Sequence, residues 1–392
     1  MAVSRKIEEM QASSSFIRKM FETGARLKEE FGAENVYDFS IGNPSALPPK
    51  EFTEILLEEA ARENMHGYMP NAGYLFVREQ IAAYLREEQS VPFEAAHILM
   101  TSGAGGALNV ALKTILNPGD KVLASRPCFM EYKFYCDNHG GTLELVDCLP
   151  GFDLNVEAFE EAIDEKTAAV IINSPNNPSG KVYSAETLKN LAGMLERKSK
   201  ELGRRIYILC DEPYRKIVYG GAEVPSIPAI YPHTMVCTSY SKDLSIPGER
   251  IGFLAIAPEL EDRDHIVNGA VLCNRILGYV NASALMQRVA GRLQGTAVDV
   301  AQYQRKRDAL GKILQDCGFD LDLPEGTFYL FPRAPMGDDT LVVNLLQEQN
   351  VLAVPGKGFG LPGYFRLSYC VDDDMIKRSE KAFKKAAEKI FG

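Results

Sequence analysis

Between two short apolar runs, Thr234–Ser239 and Ile251–Ile256, lies a loop that carries Lys242, small hydroxyls including Ser239 and Ser241, and a second cation, Arg250. An isolated loop lysine is ordinarily a solvated surface charge. Here the flanks argue otherwise. Small residues let the backbone approach a bound molecule closely, and hydroxyls with an arginine suit a cluster of phosphate oxygens. A lysine held near other cations and partly desolvated has a lowered pKa, so it can act as a nucleophile and form a Schiff base. A phosphate clamp beside an imine-forming lysine points to pyridoxal 5′-phosphate.

Further stretches put chemistry-bearing residues after expected strands. Ile98–Thr101 leads into Ser102-Gly-Ala-Gly-Gly106 and a helix to about Leu116. The free N–H groups and positive dipole end of such a helix favour an anion. Tight turns use glycine anyway; beside the Lys242 loop, Gly103, Ala104 and Gly105 read as the second half of one phosphate cup. Arg205–Cys210 reads as a buried strand ending in Asp211-Glu-Pro-Tyr214. An acid there is often a helix cap, but a carboxylate paired with a pyridine nitrogen keeps the ring protonated and an effective electron sink. In Phe365–Cys370, Arg366 falls between apolar neighbours, where a free charge is costly. It reads either as a structural ion pair or as a planar fork for a substrate carboxylate.

The elements that must position these groups alternate. Strands expected at 121–125, 142–146 and 168–172 are interleaved with helices at 131–139, 155–163 and a charged, exposed one at 185–200, which argues for a mostly parallel, doubly wound α/β sheet. In such sheets ligands sit beyond the carboxyl ends of the strands, which is where the motifs fall. Helices are also expected at 4–31 (with Ile7, Met10, Phe16, Ile17, Met20 and Phe21 as a rough apolar face), 51–64, 74–88, 338–348 and 373–391. A single long helix is expected from about 282 to 315. Gly326–Phe331 reads as a strand with an exposed aromatic face and Val354–Gly360 as a flexible loop near the cleft.

Composition excludes other classes. At 392 residues the chain exceeds one ordinary domain, and 46% apolar residues supply a sizeable core. A net charge of −10 gives no general attraction for nucleic acid or an anionic membrane. No apolar run is long enough to span a bilayer, and the amino end is charged at once, without a signal-like apolar region. Eight cysteines stand singly and five histidines are dispersed, so a reduced, cytoplasmic protein without a metal site is expected.

The pattern Ser-x-Ser-Lys-x-x-Ser-Ile-x-Gly-x-Arg-Ile-Gly over 239–252 resembles the lysine signature of class I/II aminotransferases, which share the fold of aspartate aminotransferase. The resemblance extends over essentially the whole chain. It implies a large cofactor domain near 50–285, a small α+β domain from 1–49 plus 286–392, and a homodimer with shared active sites. It makes Lys242 the imine-forming residue, Asp211 the partner of the pyridine nitrogen, and Tyr214 and Asn177 (in Asn173-Ser-Pro-Asn-Asn-Pro178) the contacts of the phenolic oxygen. Ser239, Ser241 and Arg250 with Gly103–Gly105 hold the phosphate, and Tyr68 reaches it from the other subunit. Phe129 stacks on the ring, where relatives more often carry tryptophan or tyrosine. Gly42 lies beside the substrate and Arg366 binds its α-carboxylate. Lys113 lies roughly 15 Å along its helix from the start, at about 1.5 Å per residue, too far for its own phosphate. In similar bacterial enzymes a lysine there reaches a distal carboxylate in the partner's site. The activity implied is ping-pong transamination of an L-amino acid, aspartate first, with a 2-keto acid, 2-oxoglutarate first. A β-lyase or related synthase uses the same residues. A transcription regulator with an aminotransferase-like domain would need a DNA-binding module, for which no spare chain is expected before residue 37.

Overall fold

The computed structural model describes residues 3–12 and 16–392, with the side chains of 12–22 excepted. Its strands are β1 (Tyr37–Asp38), β2 (Ile98–Thr101), β3 (Lys121–Ser125), β4 (Thr142–Val146), β5 (Thr167–Asn173), β6 (Tyr207–Asp211), β7 (Thr234–Ser239), β8 (Gly252–Ile256), β9 (Tyr329–Leu330), β10 (Val351–Leu352), β11 (Val354–Pro355) and β12 (Phe365–Ser368). β2 to β8 form a seven-stranded sheet in the order β2-β8-β7-β6-β5-β3-β4. The pairs from β7 across to β4 are parallel. β8 runs against both β2 and β7. β2 and β7 therefore point the same way, and the loops after β2, β3, β5, β6 and β7 open on one edge.

The parallel strands are apolar on both sides because helices cover both faces. Val122, Ala169, Leu209 and Met235 pack with residues of the helices Gly103–Ile115, Glu131–Asp137 and Arg263–Ile276. Their alternates Leu123, Val170, Ile208 and Val236 pack with those of Leu75–Gln89, Ala185–Leu202 and Ala284–Arg292. The result is a mixed α/β architecture with a mostly parallel central sheet, as the alternation predicts. A third apolar cluster joins Phe39 to Tyr303, Phe328, Phe365 and Phe383, uniting segments from both ends of the chain around the antiparallel β11-β12-β9 and the parallel β1-β10 pair.

Several expectations change. The helix at 185–202 buries Leu188, Leu191, Met194 and Leu195, so only its other faces are exposed; Ser184 caps its start and left-handed Gly203 ends it. The long helix from 282 to 315 is two, Ala284–Arg292 and Val300–Asp316. Gly295 adopts φ +80°, Val298 N donates to Asp243 O, and Asp299 caps the second helix through Ala301 N. Only Tyr329–Leu330 of 326–331 is strand, and Phe328, Tyr329 and Phe331 are buried, because the small-layer core needs their rings. The expected flexible loop at 354–360 is β11 followed by a 3-10 turn, with Phe359 buried. Over 4–31 the described residues are helical as expected, in Arg5–Ala12 and Phe16–Phe31; residues 13–15 and the side chains of Phe16, Ile17, Met20 and Phe21 lie outside the described residues.

Candidate active site

A cavity of about 310 Å³ opens at the carboxyl edge of the large sheet, against the small layer. Of the residues singled out in the sequence, it brings together Gly42, Ala104, Gly105, Phe129, Asn177, Asp211, Tyr214, Ser239, Ser241, Lys242, Arg250 and Arg366. Gly103 lies just behind, its backbone packed against Arg250. It adopts φ +71°, which favours glycine, and a Cβ there would stand 2.9 Å from Arg250 Nη2 and displace the guanidinium. Tyr68, 96% exposed, and Lys113 are not among the cavity's lining residues within one chain.

Lys242 follows β7, and its Nζ donates to Gly42 O at 3.0 Å and lies 5.5 Å from the centre of the Phe328 ring. Burial pushes the ammonium down to about 8, with the nearby charges of Arg366 and Arg250 adding to the effect and Cys370 opposing it. A substantial neutral fraction at neutral to mildly alkaline pH is what a nucleophile or base requires. A methyl group on Gly42 would overlap the Tyr329 hydroxyl, so the carbonyl that Lys242 uses depends on that residue lacking a side chain.

Asp211 ends β6. Tyr132 donates to its Oδ2 at 2.5 Å, while its buried Oδ1 has no hydrogen-bond partner. Burial pushes the carboxyl up to about 7 despite the opposing hydrogen bond from Tyr132. Beside it in register, Asn173 at the end of β5 donates through Nδ2 to Asp211 O and accepts from Asn177 N through Oδ1. Tyr214 follows on the same turn, with its hydroxyl 2.9 Å from that of Tyr329; burial holds its phenol well above the ordinary range.

Arg366 is 3% exposed on β12. Its Nη1 donates to Asn177 Oδ1 at 3.2 Å and its Nη2 to Ser40 O at 2.7 Å, while Nε has no partner. The guanidinium stacks between Tyr329 and Phe359, 4.4 and 4.7 Å from their ring centres. No carboxylate occupies it as a hydrogen-bond or ion-pair partner, so the ion-pair reading of this arginine does not apply among the described residues. Arg250 closes the 3-10 turn Pro247–Glu249 with φ +50° and donates to Pro247 O.

Tyr132 and Tyr329 were not singled out in the sequence. Tyr132 carries a readable signal, three residues after Phe129 on a helix, and its ring meets that of Phe129 edge-on at 5.7 Å. Tyr329 sits in a stretch whose aromatic pattern reads as a sheet face, so only packing reveals its contacts.

The donor set fits pyridoxal phosphate. An orphaned buried carboxylate oxygen suits a ring N–H, a buried lysine whose ammonium is pushed down suits an aldehyde, and a helix start with serines and an arginine suits a phosphate. Among the described residues no His/Cys/Asp/Glu cluster could hold a metal ion, and no helix is long and apolar enough to cross a membrane.

Residues 34–383 match the aminotransferase class I and II family. The chain is 32% identical over 371 residues to a probable aspartate/prephenate aminotransferase of Aquifex aeolicus, covering 91% of this chain and 92% of that one. It is 31% identical to a probable aspartate aminotransferase of Methanocaldococcus jannaschii, covering 90% and 93%. The structure superposes on that of an aminotransferase from Eubacterium rectale with a TM-score of 0.96 at 40% identity over the whole of both chains. It also matches Thermus thermophilus aspartate aminotransferase with maleate, at a TM-score of 0.86 and 25% identity over 98% and 99% of the chains.

Proposed function

This chain belongs to the class I and II aminotransferases, which are pyridoxal-phosphate-dependent enzymes, and we propose that it moves the amino group of an L-amino acid, aspartate first, to a 2-keto acid, 2-oxoglutarate first. The observation that carries the reading is the convergence of Lys242, the orphaned oxygen of Asp211 and the unsalted fork of Arg366 on one cavity. Aspartate leads because relatives with that printed activity recur, and because Lys113, by its resemblance to similar enzymes, would reach a second carboxylate in the site of another copy.

Each residue then has a task. Bound pyridoxal phosphate supplies an electrophilic carbon and a ring that delocalises the electron pair left when the substrate Cα loses its proton. Gly103–Gly105, Ser239, Ser241 and Arg250 would hold the phosphate, and Phe129 would stack on the ring. Asp211, one oxygen of which Tyr132 fixes, would keep a proton on the ring nitrogen with the other. Asn177 and Tyr214 would orient the phenolic oxygen. Arg366 takes the α-carboxylate through its fork, and the rings of Tyr329 and Phe359 hold the guanidinium plane for it. Lys242 would take the proton from the substrate Cα and deliver it to the cofactor C4′. The net exchange would turn the amino acid into its keto acid and a second keto acid into its amino acid, with one water consumed in the first half and released in the second.

We further propose two domains, a larger one near 50–292 and a smaller one from 1–49 plus about 300–392. Separate apolar clusters support the division, and because the helix Ala284–Arg292 packs on the larger core, the crossing falls at 293–299 and not at 285. A homodimer would employ Tyr68, whose full exposure suits a residue that serves another copy. Cytoplasmic residence accords with eight free cysteines.

The test mixes holoenzyme with one amino acid at a time, without a keto acid, and follows the cofactor spectrum and products. Stoichiometric conversion to pyridoxamine phosphate, fastest with aspartate, is expected. Release of pyruvate and ammonia with the starting spectrum restored would overturn transamination in favour of a lyase.

A further inference from the structure

We infer that Tyr135 is an additional ligand of the cofactor phosphate, donating its phenolic hydrogen to a phosphate oxygen; this rests on the reading of Gly103–Gly105 and Arg250 as the phosphate cup. The short helix Glu131–Asp137 carries two tyrosines three residues apart, so both project from neighbouring turns of one face. Tyr132 spends its hydroxyl on Asp211. Tyr135 lines the same cavity at its other end. A Cβ built on Gly105 would stand 3.0 Å from the Tyr135 hydroxyl, so the phenol borders the first turn of the helix Gly103–Ile115, where backbone N–H groups lack intrahelical partners. The same hydroxyl lies within electrostatic reach of Arg250. Among the described residues no protein group hydrogen-bonds it.

The chemistry at this spot is one-sided. The helix start and Arg250 are both donors, so neither gives a phenol hydrogen an acceptor, whereas an anion between them would. Burial, with Glu131 and Asp211 nearby, raises the Tyr135 phenol above its ordinary range, so it keeps its proton at neutral pH and remains a donor. Gly105 has a second reason to be glycine: a side chain there would push the phenol away. One helix thus addresses both ends of the cofactor, the ring nitrogen through Tyr132 and Asp211, and the phosphate through Tyr135.

The experiment titrates apoprotein with pyridoxal phosphate and, separately, with pyridoxal, which lacks the phosphate. Tyr135→Phe keeps the ring and removes only the hydroxyl. A hydrogen bond to a charged acceptor predicts about tenfold weaker pyridoxal phosphate binding with pyridoxal affinity unchanged. In the variant holoenzyme, the phosphorus NMR signal of the cofactor is expected to move. Unchanged pyridoxal phosphate affinity, or equal weakening for both aldehydes, would overturn the role of Tyr135. Arg250→Gln separates this from the cup itself. If that variant also binds pyridoxal phosphate normally, the cup is misplaced. If it binds weakly while Tyr135→Phe is normal, only the Tyr135 inference falls.

Discussion

The two ends of the cavity are built on different principles. At the cofactor end a backbone ladder does the placing. Asn173 pairs in register with Asp211, and Asp211 with Cys237, so Asn173, Asp211 and Ser239 reach the cavity from adjacent strand ends. That register cannot slip by one residue without turning both buried faces inside out. At the carboxylate end Arg366 is held by side-chain and loop groups from separate segments: Ser40 O, Asn177 Oδ1, and the rings of Tyr329 and Phe359. The first arrangement is as rigid as the fold. The second depends on side chains from separate segments, so single substitutions can loosen it.

Four changes would break or sharpen this contrast. The largest effect is expected from Lys242→Ala, which removes the group proposed to move the proton and should lower kcat about a thousandfold in half-reaction kinetics. Turnover at the wild-type rate would remove Lys242 from the mechanism. Next, Arg366→Leu should lower kcat/KM about a hundredfold, chiefly through KM, with only a small change in the cofactor spectrum because Arg366 donates to Asn177 Oδ1. An unchanged KM would remove Arg366 from carboxylate binding.

Third, Asp211 links the cofactor end to pH. Its carboxyl rises from an ordinary 3.8 to about 7 in the folded chain, so between those values the folded apoprotein binds more protons than the unfolded one. Apoprotein stability therefore falls as pH rises from about 4 to 7, by on the order of 4 kcal/mol at most. Denaturant titrations of Asp211→Asn should show that slope flattened. A slope identical to the wild type would show that the carboxylate is ionised without cost. Smallest, Lys113→Ala should slow aspartate a few-fold at limiting concentration and leave alanine unchanged. Equal effects on both would dissociate Lys113 from substrate choice.

Much of the cofactor end was legible in the chain because its residues cluster at strand ends, and strand ends announce themselves. The run 234–252 carries Ser239, Ser241, Lys242 and Arg250 within one strand–loop–strand unit, and Asp211 and Tyr214 lie three apart after another strand. At the carboxylate end Arg366, Gly42 and Asn177 were legible, but not the rest. Ser40, Tyr329 and Phe359, which hold Arg366, share no local pattern. Tyr329 and Phe359 sat in stretches that read as an exposed strand face and a flexible loop, because alternation and glycine content report local backbone preference and not which core will claim a ring. The missed break at 293–299 has the same origin: Val298 leaves the helix to donate to Asp243 O, a contact invisible in a helical periodicity.

Local sequence alone therefore determined the alternating α/β order, the strand ends that carry the chemistry, and the lysine loop, since these follow from apolar periodicity and turn residues over a few positions. Tertiary structure decided that Tyr132 meets Asp211, that Gly42 must make way for Tyr329, and that an arginine from position 366 shares an asparagine with the loop after β5. Those contacts join positions from 79 (132 to 211) to 287 (42 to 329) residues apart, and packing density and hydrogen-bond geometry, not propensity, select them.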